Sequence, residues 1–542
     1  MQKMRPTLAA FTAIAALAIA SPALAAVPDA AINARIIDAG LNHGEVMETV
    51  QYLTDHIGGR MTNSPAMRRA ENWTRQRFAD YGLGNARLEP FEFGRGWSIE
   101  SSTVRMSAPR ILSLRAIPVA WTPGTGGLVI APVIVAPLRR DRDFDKWRGK
   151  LAGKIVMISM PGDGDEPREP AFERHDSADL ANLDTFTAPV TSEAAVAQRL
   201  KRDGFSARRD AFLAAEGARA WVSRSYRDGG LISGEGDGFT ADDRRKVPGI
   251  QMAAEDYRRL ARLAKGAEPV VVDMETRVTF HDADTRANNV IADIAGRDPK
   301  AGYVMAGAHL DSWVGADGAA DNAAGSAVVI EAARILATLG VQPRRGIRFA
   351  LWSGEEQGIF GSRAYLDQHL VTRAPVTDPA LARASSYTSW SQRFPITPKP
   401  GYNDLAAYFN LDNGSGKIRG IHAEGNQGVA STFSQWLAPF AGMGADKVVA
   451  SRTGGTDHVF MQAVGLPAYQ FIQDPLDYMS RTHHSDVDTF DHLKADDLRQ
   501  AAIIMASFLW NAANADAPLP RGPLPTKPKD TNPYAYEDDS DQ

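Results

Sequence analysis

The stretch "AGYVMAGAHLDSWVGADGAADNAAGSAVVIEAARILATLG" (residues 301–340) decides how this chain is read. Its apolar start reads as a buried strand that runs out at His309, and a loop rich in Gly and Asp follows. Past Asn322 the apolar residues return at helical spacing. Val328, Val329, Ala332, Ile335, Leu336 and Leu339 share one face, and Gly340 supplies the stop.

The same unit recurs outward from there. "GIRFALWS" (346–353) predicts a strand and "GSRAYLDQHL" (361–370) a helix; "DLAAYFNLD" (404–412) and "LPAYQFIQD" (466–474) predict further strands. Leu498, Ala501, Ala502, Met505, Phe508 and Leu509 give the last long helix its buried stripe. Strands alternating with helices predict an α/β fold, a mostly parallel mixed sheet flanked by helices. In such sheets functional groups gather at the carboxyl ends of the strands.

Those ends are chemically loaded. His309 and Asp311 follow the first strand, and Asp321 opens the next helix. "LWSGEEQG" (351–358) ends a buried strand in two adjacent carboxylates, Glu355 and Glu356, which repel each other and resist desolvation. Asp412 follows "AAYFNL", and His483 and His484 lie in "MSRTHHSDVDTF" (479–490). Taken singly, each has a plain reading as a cap, a turn former or a solvated surface charge. Emerging in order from successive strand ends, they converge on one rim and predict a metal centre. With 0 Cys in the chain, the ligands are imidazole and carboxylate, a set that suits Zn²⁺ and also Mn²⁺ or Co²⁺. A single catalytic zinc needs three protein ligands, so this larger set points to a pair of ions sharing a carboxylate.

Other parts of the chain set the context. Lys3 and Arg5, an apolar stretch to about Ala20, and the small residues around Ala23-x-Ala25 have the layout of a cleaved secretory signal, residues 1–25. A protein processed there is expected to be secreted or periplasmic, with no membrane attachment after cleavage. From about Gly126 to Asp273 short apolar strands alternate with helical segments, so residues 116–274 are expected to form an inserted module. Within it, 161–195 is expected to be loop or lid. Residues 26–115 and 275–515 would form the catalytic domain, and 516–542, rich in Pro and ending in "YEDDSDQ", a disordered tail. A net charge of −5 without a dense basic run gives no reason to expect nucleic acid.

"GAHLDSW", "AADNAAGS", "LWSGEEQG", "FNLDNGS" and "HHSDVDT" together resemble the di-zinc exopeptidases that include secreted bacterial aminopeptidases and glutamate carboxypeptidase, nearest to the plasma glutamate carboxypeptidase (carboxypeptidase Q) branch. The middle module is similar to the protease-associated domain inserted in such enzymes. The resemblance implies that His309 and Asp412 hold one Zn²⁺, that Asp321 bridges two, and that Glu356 and His484 hold the second. It implies a peptide bond between Asp321 and Asn322 that is cis. Asp311 would orient the imidazole of His309. Glu355 would be the general base, taking a proton from the attacking water and delivering it to the leaving amine. His483 stands where several relatives have a tyrosine, and is either a donor to the tetrahedral intermediate or a packing residue.

Short peptides are the implied substrates, and whether the enzyme is an aminopeptidase, carboxypeptidase or dipeptidase stays open, as does a homodimer. Lys417, Arg419, Arg452 and Arg481 are candidates to receive a terminal carboxylate. Asp457 or Arg452, in "SRTGGTDHVF" (451–460), is a candidate substrate contact. The alternatives are a single-zinc acyltransferase of the glutaminyl-cyclase type and a non-catalytic binding protein resembling transferrin receptor.

Overall fold

The computed structural model describes residues 29–164, 170–183, 204–377, 389–390 and 392–526. The signal-peptide reading therefore lies outside the described residues. Two eight-stranded sheets organise the chain. The first is built, in spatial order, from Gly84–Glu92, Arg286–Ile294, Gly346–Trp352, Tyr303–His309, Leu405–Asn410, Ala468–Gln473, Ile418–His422 and Lys447–Val449. Its middle strands run parallel, His309 pairing with Trp352 and Gly307 with Asn410, while the first two strands are antiparallel. Every residue of Leu405–Asn410 is buried, as a strand covered on both faces requires.

Helices cover the two faces. Ala30–Asn42, Pro65–Asp80, Ala324–Thr338 and Ala495–Asn514 pack against one, around Phe349, Phe409 and Phe508. The helix expected after Asn322 ends at Thr338, and Gly340 takes the left-handed backbone that stops it, φ +61. Phe360–His369 and Val459–Gln462 cover the other face with Trp352, Tyr408 and Phe460. Among the described residues no helix is long and apolar enough to cross a membrane.

The second sheet is centred on Val129–Val135, Ile155–Met157, Ala220–Arg224 and Gly249–Met252. Its boundary differs from the expected 116–274. It begins at Gly96, because Gly96–Ala108 and Val271–His281 form one long antiparallel ribbon that belongs to this sheet. The segment "AFLAAEGARAWV" (211–222) is part helix and part strand. The helix Phe205–Ala215 stops before Gly217, φ +71, and Ala220–Arg224 is a strand.

Of the expected loop 161–195, residues 165–169 and 184–195 lie outside the described set. Its described part docks on the first sheet's half. Glu173 bridges Leu476, and Arg174 pairs with Asp474 and Asp497 at 3.0 and 2.8 Å. The tail also departs from expectation at its start. Leu519 is buried, and Arg521 donates to the carbonyls of Tyr402 and Leu405, so the chain stays packed before residue 527. Proline-rich composition excluded a helix there without excluding these contacts.

Candidate metal centre and active site

The carboxyl end of the first sheet collects the loaded residues. His309 is the last residue of its strand, and its Nδ1 lies 3.0 Å from the main-chain carbonyl of Asp311. A carbonyl only accepts, so Nδ1 carries a proton and Nε2 is the atom turned towards the acids. That Nε2 lies 3.3 Å from Asp321 Oδ1 and 3.4 Å from Asp412 Oδ1. It is buried and makes no aligned hydrogen bond.

His484 repeats the arrangement from the other side. Its Nδ1 lies 3.1 Å from Glu235 Oε1, and its Nε2 is 2.9 Å from Glu356 Oε2 and 3.5 Å from Asp321 Oδ2. Each oxygen of Asp321 thus faces a different imidazole. The ligand atoms of His309, Asp321 and Asp412 lie within 4.8 Å of one another, and so do those of Asp321, His483 and His484.

Local structure explains why Asp321 can sit between them. Asp488 accepts from the backbone nitrogens of Ala320 and Asp321, at 2.7 and 2.9 Å. The Asp321–Asn322 peptide bond is cis. Asn322 donates to Leu411 O and accepts from Gly325 N, which ties this turn to the strand that delivers Asp412. A Cβ on Gly325 would lie 2.5 Å from Leu411 O, so only glycine fits that approach. Arg60, fully buried in the turn-rich "GGRMTNSP", donates to the carbonyls of Leu310 and Gly318 and fixes both ends of the loop.

Asp311 differs from its expected role. Its carboxylate stands 3.8 Å from His309 Nδ1, and the main-chain carbonyl orients the ring instead. The carboxylate accepts from Thr62 Oγ1 at 3.0 Å and from the backbone nitrogens of Glu355 and Glu356 at 3.2 and 3.3 Å. It holds the turn that carries the adjacent acids.

Electrostatics agree with a cation-binding set. Burial alone pushes the His309 imidazole down, yet Asp412 and Asp321 hold it well above its ordinary value. Burial works upward on Asp321, but His309 and His484 keep it below the usual carboxylate range. Burial lifts Glu356 to about 7 and Glu355 well above the ordinary value. Crowded acids in low dielectric take up protons unless a positive charge stands among them. Carboxylates and two imidazoles whose Nε2 atoms face them are a donor set that fits divalent zinc.

His483 stacks on His484 with ring centroids 3.8 Å apart, and burial with the neighbouring His484 holds it down, to about 4. Asp457 is fully buried, its Oδ1 taking the Ser362 hydroxyl at 2.5 Å. Arg419 is engaged by Asp474 and Gly444 O, Arg452 donates to Glu424 O, and Arg481 is exposed. Lys417 lines a different surface pocket, with Arg174 and Asp474.

Two further residues were not singled out from the sequence. Tyr478 is buried beside Asp321, and burial pushes its phenol well up, so it stays a donor. Glu235 comes from the second sheet's half, and no sequence signal marks it, since its contact with His484 spans 249 positions.

Residues 289–509 match the sequence pattern of Peptidase family M28. The chain is 22% identical to mouse (Mus musculus) carboxypeptidase Q over 88% of its own length and 87% of that protein. Among solved structures, a peptidase M28 precursor from Shewanella amazonensis shares the fold with a TM-score of 0.63 at 21% identity, covering 92% of this chain and 99% of its own. A zinc aminopeptidase from Bacillus subtilis superposes with a TM-score of 0.55 at 18% identity, over 87% of this chain and 95% of its own. The matched segment contains each of the five ligand candidates and Glu355.

Proposed function

We propose that the protein is a two-zinc exopeptidase, exported by its N-terminal leader, that hydrolyses dipeptides or short peptides. The observation that carries this reading is Asp321, whose two oxygens face the Nε2 atoms of two separate imidazoles. His309, Asp412 and Asp321 would hold one ion, and Glu356, His484 and Asp321 the other. Carboxypeptidase Q and a zinc aminopeptidase among the similar proteins support the reaction class without choosing the peptide end.

Zinc, when bound, supplies Lewis acidity that polarises the scissile carbonyl and lowers the pKa of water. The chain's own residues do the rest. Glu355 takes the proton of water as its oxygen attacks the carbonyl carbon, then gives that proton to the leaving amine nitrogen. The Asp311 carboxylate holds the Glu355 backbone, which fixes where this base points. Glu235 keeps His484 in the tautomer that presents Nε2. Tyr478 and His483 meet ring to ring beside Asp321, and each keeps a donor there, the phenol O–H and the one N–H of a neutral imidazole.

A competent base and a complete double ligand set speak against a single-zinc acyltransferase and against a binding protein without catalysis. The test is hydrolysis by zinc-loaded protein of one dipeptide in three forms: both ends free, amino end acetylated, carboxyl end amidated. Cleavage of at least one form is expected, and the pattern assigns the end that is read. Cleavage of none would overturn the exopeptidase reading.

A further inference from the structure

A cavity of about 1170 Å³ lies between the two halves of the molecule. Glu356, Gln357 and Trp313 line it from the first sheet's half. Across from them it is bounded by Ile158–Met160 and by Ser223 and Arg224, which lie at the carboxyl ends of Ile155–Met157 and Ala220–Arg224. Those two strands are parallel neighbours. The second sheet thus turns towards the metal centre the edge at which parallel sheets bind their ligands.

The charges on that edge do not cancel. Arg245 is engaged by Asp237 and Asp243, at 2.9 and 2.6 Å. Glu235 is engaged by His484. Arg209, from the helix Phe205–Ala215, stacks its guanidinium on Trp221 and Phe205, 5.1 and 5.7 Å from the ring centroids. Among the described residues it has no hydrogen bond and no carboxylate in salt-bridge range. The acids whose charge reaches it are Asp237, held by Arg245, and Asp210, which accepts from the backbone nitrogens of Lys246 and Val247. Burial pushes the Arg209 guanidinium down to about 10, which still leaves it charged at neutral pH. Arg224 uses Nε on Met160 O and has no acid partner among the described residues. On the metal side, both polar atoms of the Gln357 side-chain amide are buried without a partner.

We propose that Arg209, with Arg224, receives a carboxylate of the peptide substrate whose scissile bond lies at the metal centre, while the Gln357 amide binds the peptide main chain between them. The inference rests on the exopeptidase reading and adds the substrate class, peptides that carry a carboxylate on the side facing the inserted half. A guanidinium backed by aromatic rings and lacking an internal acid is preorganised for such a partner, and its fork matches carboxylate geometry. The carboxylate is either the chain terminus or an acidic side chain. The cations expected from the sequence lie on the peptidase half, whereas these come from the inserted half.

The test compares three peptides with neutral amino-terminal residues: one with a free carboxyl end, its amide, and an amide with Glu in the last position. Wild-type protein is expected to show a lower KM for one or both carboxylate forms than for the neutral amide, and which form gains identifies the carboxylate. Arg209→Met is expected to raise the KM of the favoured form about 10- to 100-fold with kcat retained and the neutral amide unaffected. Arg209→Lys should restore part of the loss. Unchanged KM ratios in Arg209→Met would overturn the proposal, as would an equal loss for all three peptides. If wild-type protein cleaves none, the exopeptidase reading fails, and calorimetric binding of the acetylated dipeptide acid decides the site by itself. Binding weakened about 10-fold or more by Arg209→Met, or by Arg224→Met should the first variant not fold, supports it; equal binding overturns it.

Discussion

The rims of the two sheets present opposite chemistry at the same topological position. The first sheet delivers acids and imidazoles to the ends of its strands, His309, Glu356 and Asp412, each beside a partner within 3.5 Å. The second half brings Arg224 from a strand end and Arg209 from a neighbouring helix, neither with an acid partner among the described residues, while its acids are engaged, Asp237 by Arg245 and Glu235 by His484. One rim is self-sufficient in charge only with cations, the other only with anions. A metallopeptidase and its substrate would supply both, and on the proposal above the inserted half is a wall of the site rather than an appendage.

That comparison yields experiments of decreasing effect. Glu355→Gln removes the proposed base from the first rim and leaves the candidate ligand atoms in place. Its kcat is expected to fall about 10²- to 10⁴-fold with zinc content unchanged, by steady-state kinetics and metal analysis. Near-normal turnover would remove Glu355 from the mechanism. Glu235→Ala asks whether the second rim reaches into the metal centre. Zinc affinity is expected to fall about 10- to 100-fold in chelator competition, with the melting temperature of the metal-free protein little changed. Unaltered affinity would confine Glu235 to packing.

The smallest effect tests the joint between the two halves. Arg95 and Asp282 flank the long ribbon and pair at 2.8 Å, the arginine buried and the aspartate partly exposed. The hydrogen bond from Arg95 holds the Asp282 carboxyl below its ordinary value. Its contribution is therefore present above the unfolded value, near pH 4, and is lost as pH falls through the depressed one. Asp282→Asn is expected to cost about 1 kcal/mol at pH 7, and the difference from wild type should vanish under strong acid in thermal melts. A difference that persists in acid would mean that shape rather than charge holds the joint.

The first half was legible in the sequence for a physical reason. Its candidate ligands His309, Glu356 and Asp412 follow strands whose apolar runs are continuous, so position along the chain encodes position on the rim, as "FALWSGEE" does for Glu355 and Glu356. Asp311 was legible as a member of the site but not in its role, because the main-chain carbonyl two residues from His309 takes the ring. The ribbon boundary at Gly96 was missed because the half-exposed, polar pattern of Gly96–Ala108 resembles any edge strand. Glu235 and Arg209 were out of reach altogether. Nothing local distinguishes a glutamate in a Gly-rich loop or an arginine on a short helix, and both gain meaning only from what lies opposite.

The central claim is that Asp321 joins two ions in one centre, and calorimetric zinc titration of the wild-type and Asp321→Ala proteins tests it most directly. The wild type should bind about two equivalents, and the variant should lose affinity at both sites together because its ligand is shared. Two equivalents held at unchanged affinity by Asp321→Ala would contradict the bridge and the mechanism built on it.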